Sequence, residues 1–234
     1  MPPIIEVFPH NAHAFAIELV SRYHTSMSEA TLIAFHIVIL VMSVVIHEVS
    51  HGVAARIQGD KTAEYAGRLT LNPIPHLDPI GSILLPLILV ISGSPILIGW
   101  AKPVPYNPYN LRNQKWGPAL VGAAGPFSNI AVAVIFGIFI RTSSLFIPAS
   151  MLEVWLSLAA SIVFINIILA VFNLLPLPPL DGSKVLFSVL PYQWYRFQQV
   201  LEIYGFIFLL IFILFFGRII GIISEAIFRL IVGG

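Results

Sequence analysis

The chain has 234 residues, of which 58% are apolar and 10% charged, against about 25% charged in soluble domains, so a water-soluble globule is excluded. A formal net charge of +1 leaves no electrostatic footprint for a nucleic-acid partner. The absence of cysteine excludes disulfides, thiolate metal sites and a cysteine nucleophile.

Several charge-free stretches match the length needed to cross about 30 Å of hydrocarbon as helix, which predicts an all-α polytopic membrane protein. Residues 1–29 form a leader interrupted by Pro2, Pro3, Glu6, Pro9 and Glu18. It lacks the basic start and unbroken apolar core of a cleavable signal peptide. Within it, residues 15–20 suit at most a short amphipathic turn lying on the membrane surface.

The first span runs charge-free over residues 30–46 and continues to Arg56. Residues 58–79 hold Gly59, Gly67, Pro73, Pro75 and Pro79, with alternation at 68–71, and predict turn and strand. Residues 80–101 are apolar but broken by Pro86 and by Ser92-Gly93-Ser94-Pro95. The piece before that break is too short to cross. Residues 116–140 form the second clean span, with Gly117, Gly122, Ala123, Ala124 and Gly125 permitting close helix approach.

Residues 154–175 form the third clean span, which stops at Pro176, Pro178 and Pro179. Tyr192, Trp194, Tyr195 and Arg196 place residues 185–199 at the interface. Residues 203–232 complete one kinked or tilted span around Gly217 and Arg218. The expected organisation is a leader (1–29), a catalytic core of three helices (30–182) and a C-terminal interfacial segment with its span (183–234). A re-entrant or β-like loop lies between the first and second core helices.

In the first span stands His47-Glu48-Val49-Ser50-His51. Two histidines four apart share one helix face, so both rings can reach one ion. Neutral imidazole is a good zinc ligand, and Glu48 can act as a general base beside the ion without binding it. The bland alternative is a histidine pair bonded to carbonyls inside a bundle. A catalytic zinc needs a third protein ligand, and the chain has three aspartates, Asp60, Asp78 and Asp181. Asp181, just past the third span, is the best candidate. Asp78, with His76 nearby, is the rival, although its proline-rich surroundings favour a turn former. His36 lies about 16 Å along the helix from His47 and cannot share the ion.

These motifs resemble those of the site-2 proteases, peptidase family M50. Beside the histidine motif, Gly125-Pro126-Phe127-Ser128-Asn129 is similar to the family's Gly-Pro-x-x-Asn. The run from Asn173 to Gly182 resembles its Asn-x-x-Pro-x-Pro-x-Leu-Asp-Gly. Gly67-Arg68-Leu69-Thr70-Leu71-Asn72-Pro73 and Gly99-Trp100-Ala101-Lys102-Pro103-Val104-Pro105 are similar to the compact bacterial branch. No PDZ-like or CBS-like segment is present. The resemblance implies an intramembrane zinc endopeptidase with one Zn2+ held by His47, His51 and Asp181, Glu48 as base, and single-pass membrane proteins as substrates.

Asn129 is a candidate for binding substrate or oxyanion, with an interhelical polar contact as its alternative. Asn173 shares that ambiguity and leans towards supporting a ligand from behind. Residues 99–106 or 68–71 offer an edge for an extended substrate. A metal-binding transporter or channel is the alternative class, but it predicts polar residues along a whole pathway, whereas here they gather at one depth.

The ion also constrains topology. For Asp181 to meet the histidines, an even number of crossings must separate the first span from it, so residues 80–101 must enter and leave by the same face. Basic residues at Arg56, Lys61, Arg68, Lys184 and Arg196 then fall on the active-site side, which predicts a cytoplasmic orientation in the cell membrane.

Overall fold

A computed structural model describes residues 29–92 and 99–233. The amphipathic turn expected at 15–20, and most of the turn expected at 92–95, lie outside the described residues. Among the described residues, four helices are long and apolar enough to cross a membrane. They are α1 (Glu29–Ile57), α4 (Gly117–Thr142), α5 (Ala149–Asn173) and α7 (Tyr195–Val232). Between them lie the single turn α2 (Thr62–Tyr65), a π-helical turn at Pro79–Leu84 running into α3 (Leu85–Ile91), and α6 (Asp181–Val189). The protein is an all-α polytopic membrane protein.

Helix α4 is the hub, packing against α1, α5, α6 and α7. Its small residues explain why. A methyl group added at Gly137 would come 2.2 Å from the Ile231 side chain of α7, and one at Gly122 would come 3.0 Å from the Asp181 carbonyl. Small residues let backbones meet where lipid supplies no hydrophobic drive. Ala133 and Ile140 of α4, Ala159, Val163 and Ile167 of α5, and Phe228 and Val232 of α7 form the main apolar core. At its edge, Arg141 donates to the carbonyls of Leu230 and Ile231. This joins the ends of α4 and α7.

One sequence expectation, a strand before α4, is corrected here. Among the described residues no strand forms, neither at 68–71 nor at 99–106. The Thr70 carbonyl is taken by His76 Nε2 at 2.9 Å, and Pro103 and Pro105 have no N–H to offer a ladder. Helix α7 is unbroken through Gly217 and Arg218; one internal glycine costs only about 1 kcal/mol, which so long an apolar helix absorbs. It also begins at Tyr195, so part of the expected interfacial segment belongs to the helix itself.

The segment between α1 and α4 returns to where it started. Trp100 N–H donates to the Gly81 carbonyl (3.1 Å) and Lys102 N–H to the His76 carbonyl (2.8 Å). Ser82 Oγ donates to the Trp100 carbonyl (2.8 Å). Both ends therefore sit together, as the crossing argument requires. Asp78 caps the π-helical turn, its Oδ1 accepting from Ile80 N–H and Gly81 N–H. This is the turn-forming role its proline neighbours suggest.

Candidate metal centre

The histidine motif lies two to three turns before the end of α1, where the four-residue spacing stacks His47 and His51 on the face turned towards α4. Both rings are buried and cross edge to face with centroids 4.7 Å apart. Their outer nitrogens are fixed first. His47 Nδ1 lies 2.6 Å from Asn129 Oδ1, and His51 Nδ1 lies 2.6 Å from the Val121 carbonyl. Both partners are acceptors, so Nδ1 is the donor in each ring, and in the neutral imidazole Nε2 is then the nitrogen that offers a lone pair.

Those two Nε2 atoms converge on a single oxygen, Asp181 Oδ2, at 3.0 Å each. Two lone pairs and a carboxylate oxygen aimed at one point form a donor set that a cation satisfies. The backbone leaves room for it. A methyl group at Gly125 would come 2.5 Å from His47 Nε2 and 2.6 Å from His51 Nε2. The glycine of the Gly-Pro-x-x-Asn motif thus borders the candidate metal position without filling it.

Asp181 reaches this depth from the proline-rich turn after α5, as the first residue of α6. Gly182 makes that approach possible, because a methyl group there would come 2.2 Å from the Leu174 carbonyl. On the other side, Pro178 lies against Gly205 of α7, where a methyl group would come 2.6 Å from it. The second carboxylate oxygen, Oδ1, accepts from Lys184 Nζ at 2.9 Å.

Glu48 stands beside the cluster, with one donor atom from each of His47, Glu48 and His51 within 4.8 Å of the others. Its Oε2 accepts from Val104 N–H at 2.8 Å. Because Pro103 and Pro105 flank it, Val104 carries the one amide hydrogen in that tripeptide. The loop is held in turn by Asp60, which accepts from Asn107 N–H (2.7 Å), Asn110 Nδ2 (3.0 Å), Thr62 N–H (3.1 Å) and Thr62 Oγ1 (2.6 Å). Burial pushes the Asp60 carboxyl up, but these hydrogen bonds outweigh it and hold the group below the usual carboxylate range.

Asn129 is fully buried. Its amide nitrogen donates to Asn166 Oδ1 (2.8 Å) and to the Ser43 carbonyl (3.3 Å), so both amide hydrogens are engaged within the protein. Asn173 Nδ2 donates to the Leu169 carbonyl of its own helix at 2.9 Å. His36 Nδ1 likewise lies 2.8 Å from the Leu32 carbonyl in α1.

Asn166 is not singled out from sequence, and Val104 and Lys184 are named there only for a motif and for charge, not for contacts at this centre. A lone amide in the middle of α5 was the available signal for Asn166, because polar groups in spans need partners. The Val104 contact is made by backbone and leaves no signal in residue type. A cavity of about 850 Å³ opens beside Lys184, walled by Tyr106, Phe187, Trp194 and Tyr195.

Residues 143–215 match the family model described as Peptidase family M50. A protein of Bacillus subtilis (strain 168) named "Putative zinc metalloprotease YwhC" is 37% identical over 195 residues, covering 78% of this chain and 82% of the relative. Proteins named "Putative zinc metalloprotease Rip2" also match. The one from Mycolicibacterium smegmatis is 33% identical over 147 residues, 62% of this chain and 53% of that protein. The one from Mycobacterium tuberculosis (strain H37Rv) is 30% identical over 170 residues, 73% of this chain and 62% of that protein. The chain therefore spans little more than half of each Rip2 sequence. No solved structure gives a significant match.

Proposed function

The chain belongs to peptidase family M50, and on that premise we propose that it is a zinc-dependent endopeptidase cutting single-pass membrane proteins in or near their transmembrane segments. The observation that carries the reading is the meeting of His47 Nε2, His51 Nε2 and Asp181 Oδ2 at 3.0 Å. It brings together residues 130 or more apart in sequence, with a carboxylate, Glu48, alongside. His47, His51 and Asp181 would hold one zinc ion, which supplies positive charge to polarise the scissile carbonyl and acidify water.

The protein's own groups do the rest. Glu48, oriented through Oε2 by Val104 N–H, accepts the proton of the attacking water on its other oxygen and returns it to the leaving amine. Asn129 and the Val121 carbonyl hold the two rings in the tautomer that presents Nε2. The cavity lined by Lys184, whose ammonium bonds Asp181 Oδ1, gives room for unwound chain one residue away from the centre. Cleaving a helix requires such unwinding, because its carbonyls are otherwise bonded along the helix.

The positive-inside tendency supports a cytoplasmic active-site face in the cell membrane. Arg56, Lys61 and Arg68 follow α1, and Lys184 and Arg196 follow α5.

The test combines metal analysis with cleavage of a single-pass membrane substrate by the wild type and by Glu48→Gln. One zinc per chain in both, with hydrolysis lost only in the variant, is the expected result. A metal-free active enzyme, or undiminished hydrolysis by the variant, would refute the reading. Zinc-dependent ion flux without cleavage would point to the transporter class.

A further inference from the structure

The Asp181 carboxylate is divided between two tasks, and the division is the feature the proposed function leaves unused. Oδ2 faces both imidazole nitrogens, while Oδ1 is bound to Lys184 Nζ at 2.9 Å. Lys184 is three residues on in α6, so the two side chains share one helix face.

The lysine is itself held in place. Its stem lies in the groove left by Gly122, where a methyl group would come 3.0 Å from Lys184 Cβ and 3.1 Å from Cδ. Its ammonium lies 5.6 Å from the centroid of the Tyr106 ring, within range of cation–π attraction. The Asp181 side chain is only 9% exposed and that of Lys184 31%. An ion pair this sheltered is screened far less than one on the surface.

We infer that Lys184 is a positioning residue that confines Asp181 to one ligating oxygen and so keeps the fourth place on the metal open for the reaction. This rests on the proposed zinc site. Tetrahedral catalytic zinc uses three protein ligands and leaves one position free. A carboxylate with both oxygens unclaimed can bind through the pair, which would occupy that position. With Oδ1 engaged by an ammonium, only Oδ2 is available. Groups that hold a ligand from behind commonly change metal affinity or activity by about 10- to 100-fold when removed.

Cobalt(II) replaces zinc in the experiment because its visible absorption reports coordination number, intense at four ligands and weak at five or six. Wild type, Lys184→Met and Lys184→Arg are loaded with cobalt in detergent. Their spectra are recorded, and kcat and KM are measured on the zinc forms.

Lys184→Met is expected to bind one equivalent of metal with a weakened, shifted visible band. Its kcat should be about 10- to 100-fold lower at little-changed KM. Lys184→Arg, whose guanidinium can still donate to Oδ1, should restore both. If Lys184→Met does not fold, Tyr106→Leu replaces it, and a smaller shift in the same direction is expected. A wild-type spectrum in the variant tested, or failure of arginine to restore a lost band, overturns the inference. Failure of wild-type protein to take up cobalt or zinc at all would instead refute the metal site.

Discussion

Val104 donates its backbone N–H to Glu48 Oε2 across 2.8 Å, so the carboxylate beside the histidines is aimed by a loop rather than by its own helix. The amide lies between two prolines, and no neighbour within the tripeptide can replace it. Val104→Pro removes that hydrogen while keeping the loop's proline-rich character. It is expected to lower kcat by about 10-fold or more, consistent with loss of one charge-assisted hydrogen bond of about 1.5–3 kcal/mol. Zinc content should remain at the wild-type level. Steady-state kinetics paired with metal analysis check this, and an unchanged kcat would count against the role given to the contact.

Gly125 sets a steric limit on the same centre. A methyl group there would come within 2.6 Å of both Nε2 atoms, and the backbone of a central packed helix has little freedom to retreat. Gly125→Ala is expected to abolish stoichiometric zinc binding and hydrolysis together while the protein still purifies as a folded, helical species. Tight zinc binding by this variant would show that the ion sits elsewhere.

Asn129 and Asn166 form a buried amide pair behind His47. Asn129→Ala leaves His47 Nδ1 without its acceptor, and Asn166→Ala leaves Asn129 free to turn. The first is expected to weaken zinc affinity by about 10- to 100-fold, and the second by less. Chelator competition in detergent measures both. Equal affinities across the three proteins would mean that the amides serve helix packing alone.

Asp60 gives a pH-dependent prediction. Its carboxyl is held below the ordinary value of about 3.9 in the folded state. The stability it contributes is therefore complete above that pH and is lost as pH falls through the lower folded value. Asp60→Asn is expected to cost on the order of 2–4 kcal/mol at pH 7, since the four donors lose a charged acceptor. The gap to wild type should narrow below about pH 4. Denaturation in detergent at pH 7 and pH 3 tests the sign, and a gap that widens in acid would contradict it.

The parts of this molecule that could be read from sequence are those in which one residue type forces one outcome. Charge-free length located α1, α4 and α5, apolar content located α7 despite Arg218, and the four-residue spacing of His47 and His51 placed both rings on one face. The crossing-number argument required residues 80–101 to return to the face they left, and the Trp100–Gly81 and Lys102–His76 hydrogen bonds hold those ends together. Alternation at 68–71 misled because the Thr70 carbonyl goes to a histidine rather than to a partner strand. Asn129 was open between substrate contact and helix contact, since an amide is equally suited to both. Only the positions of Ser43 and Asn166 show where its hydrogens go.

The pinch between Pro178 and Gly205 has a bearing on biogenesis. The turn that delivers Asp181 packs against α7, whereas the histidines belong to α1. A chain folded only as far as α6 already owns both imidazoles and Asp181, but not the helix against which the Asp181 turn packs. The placing of Asp181 beside the histidines is therefore tied to the seating of α7 against the turn that carries it.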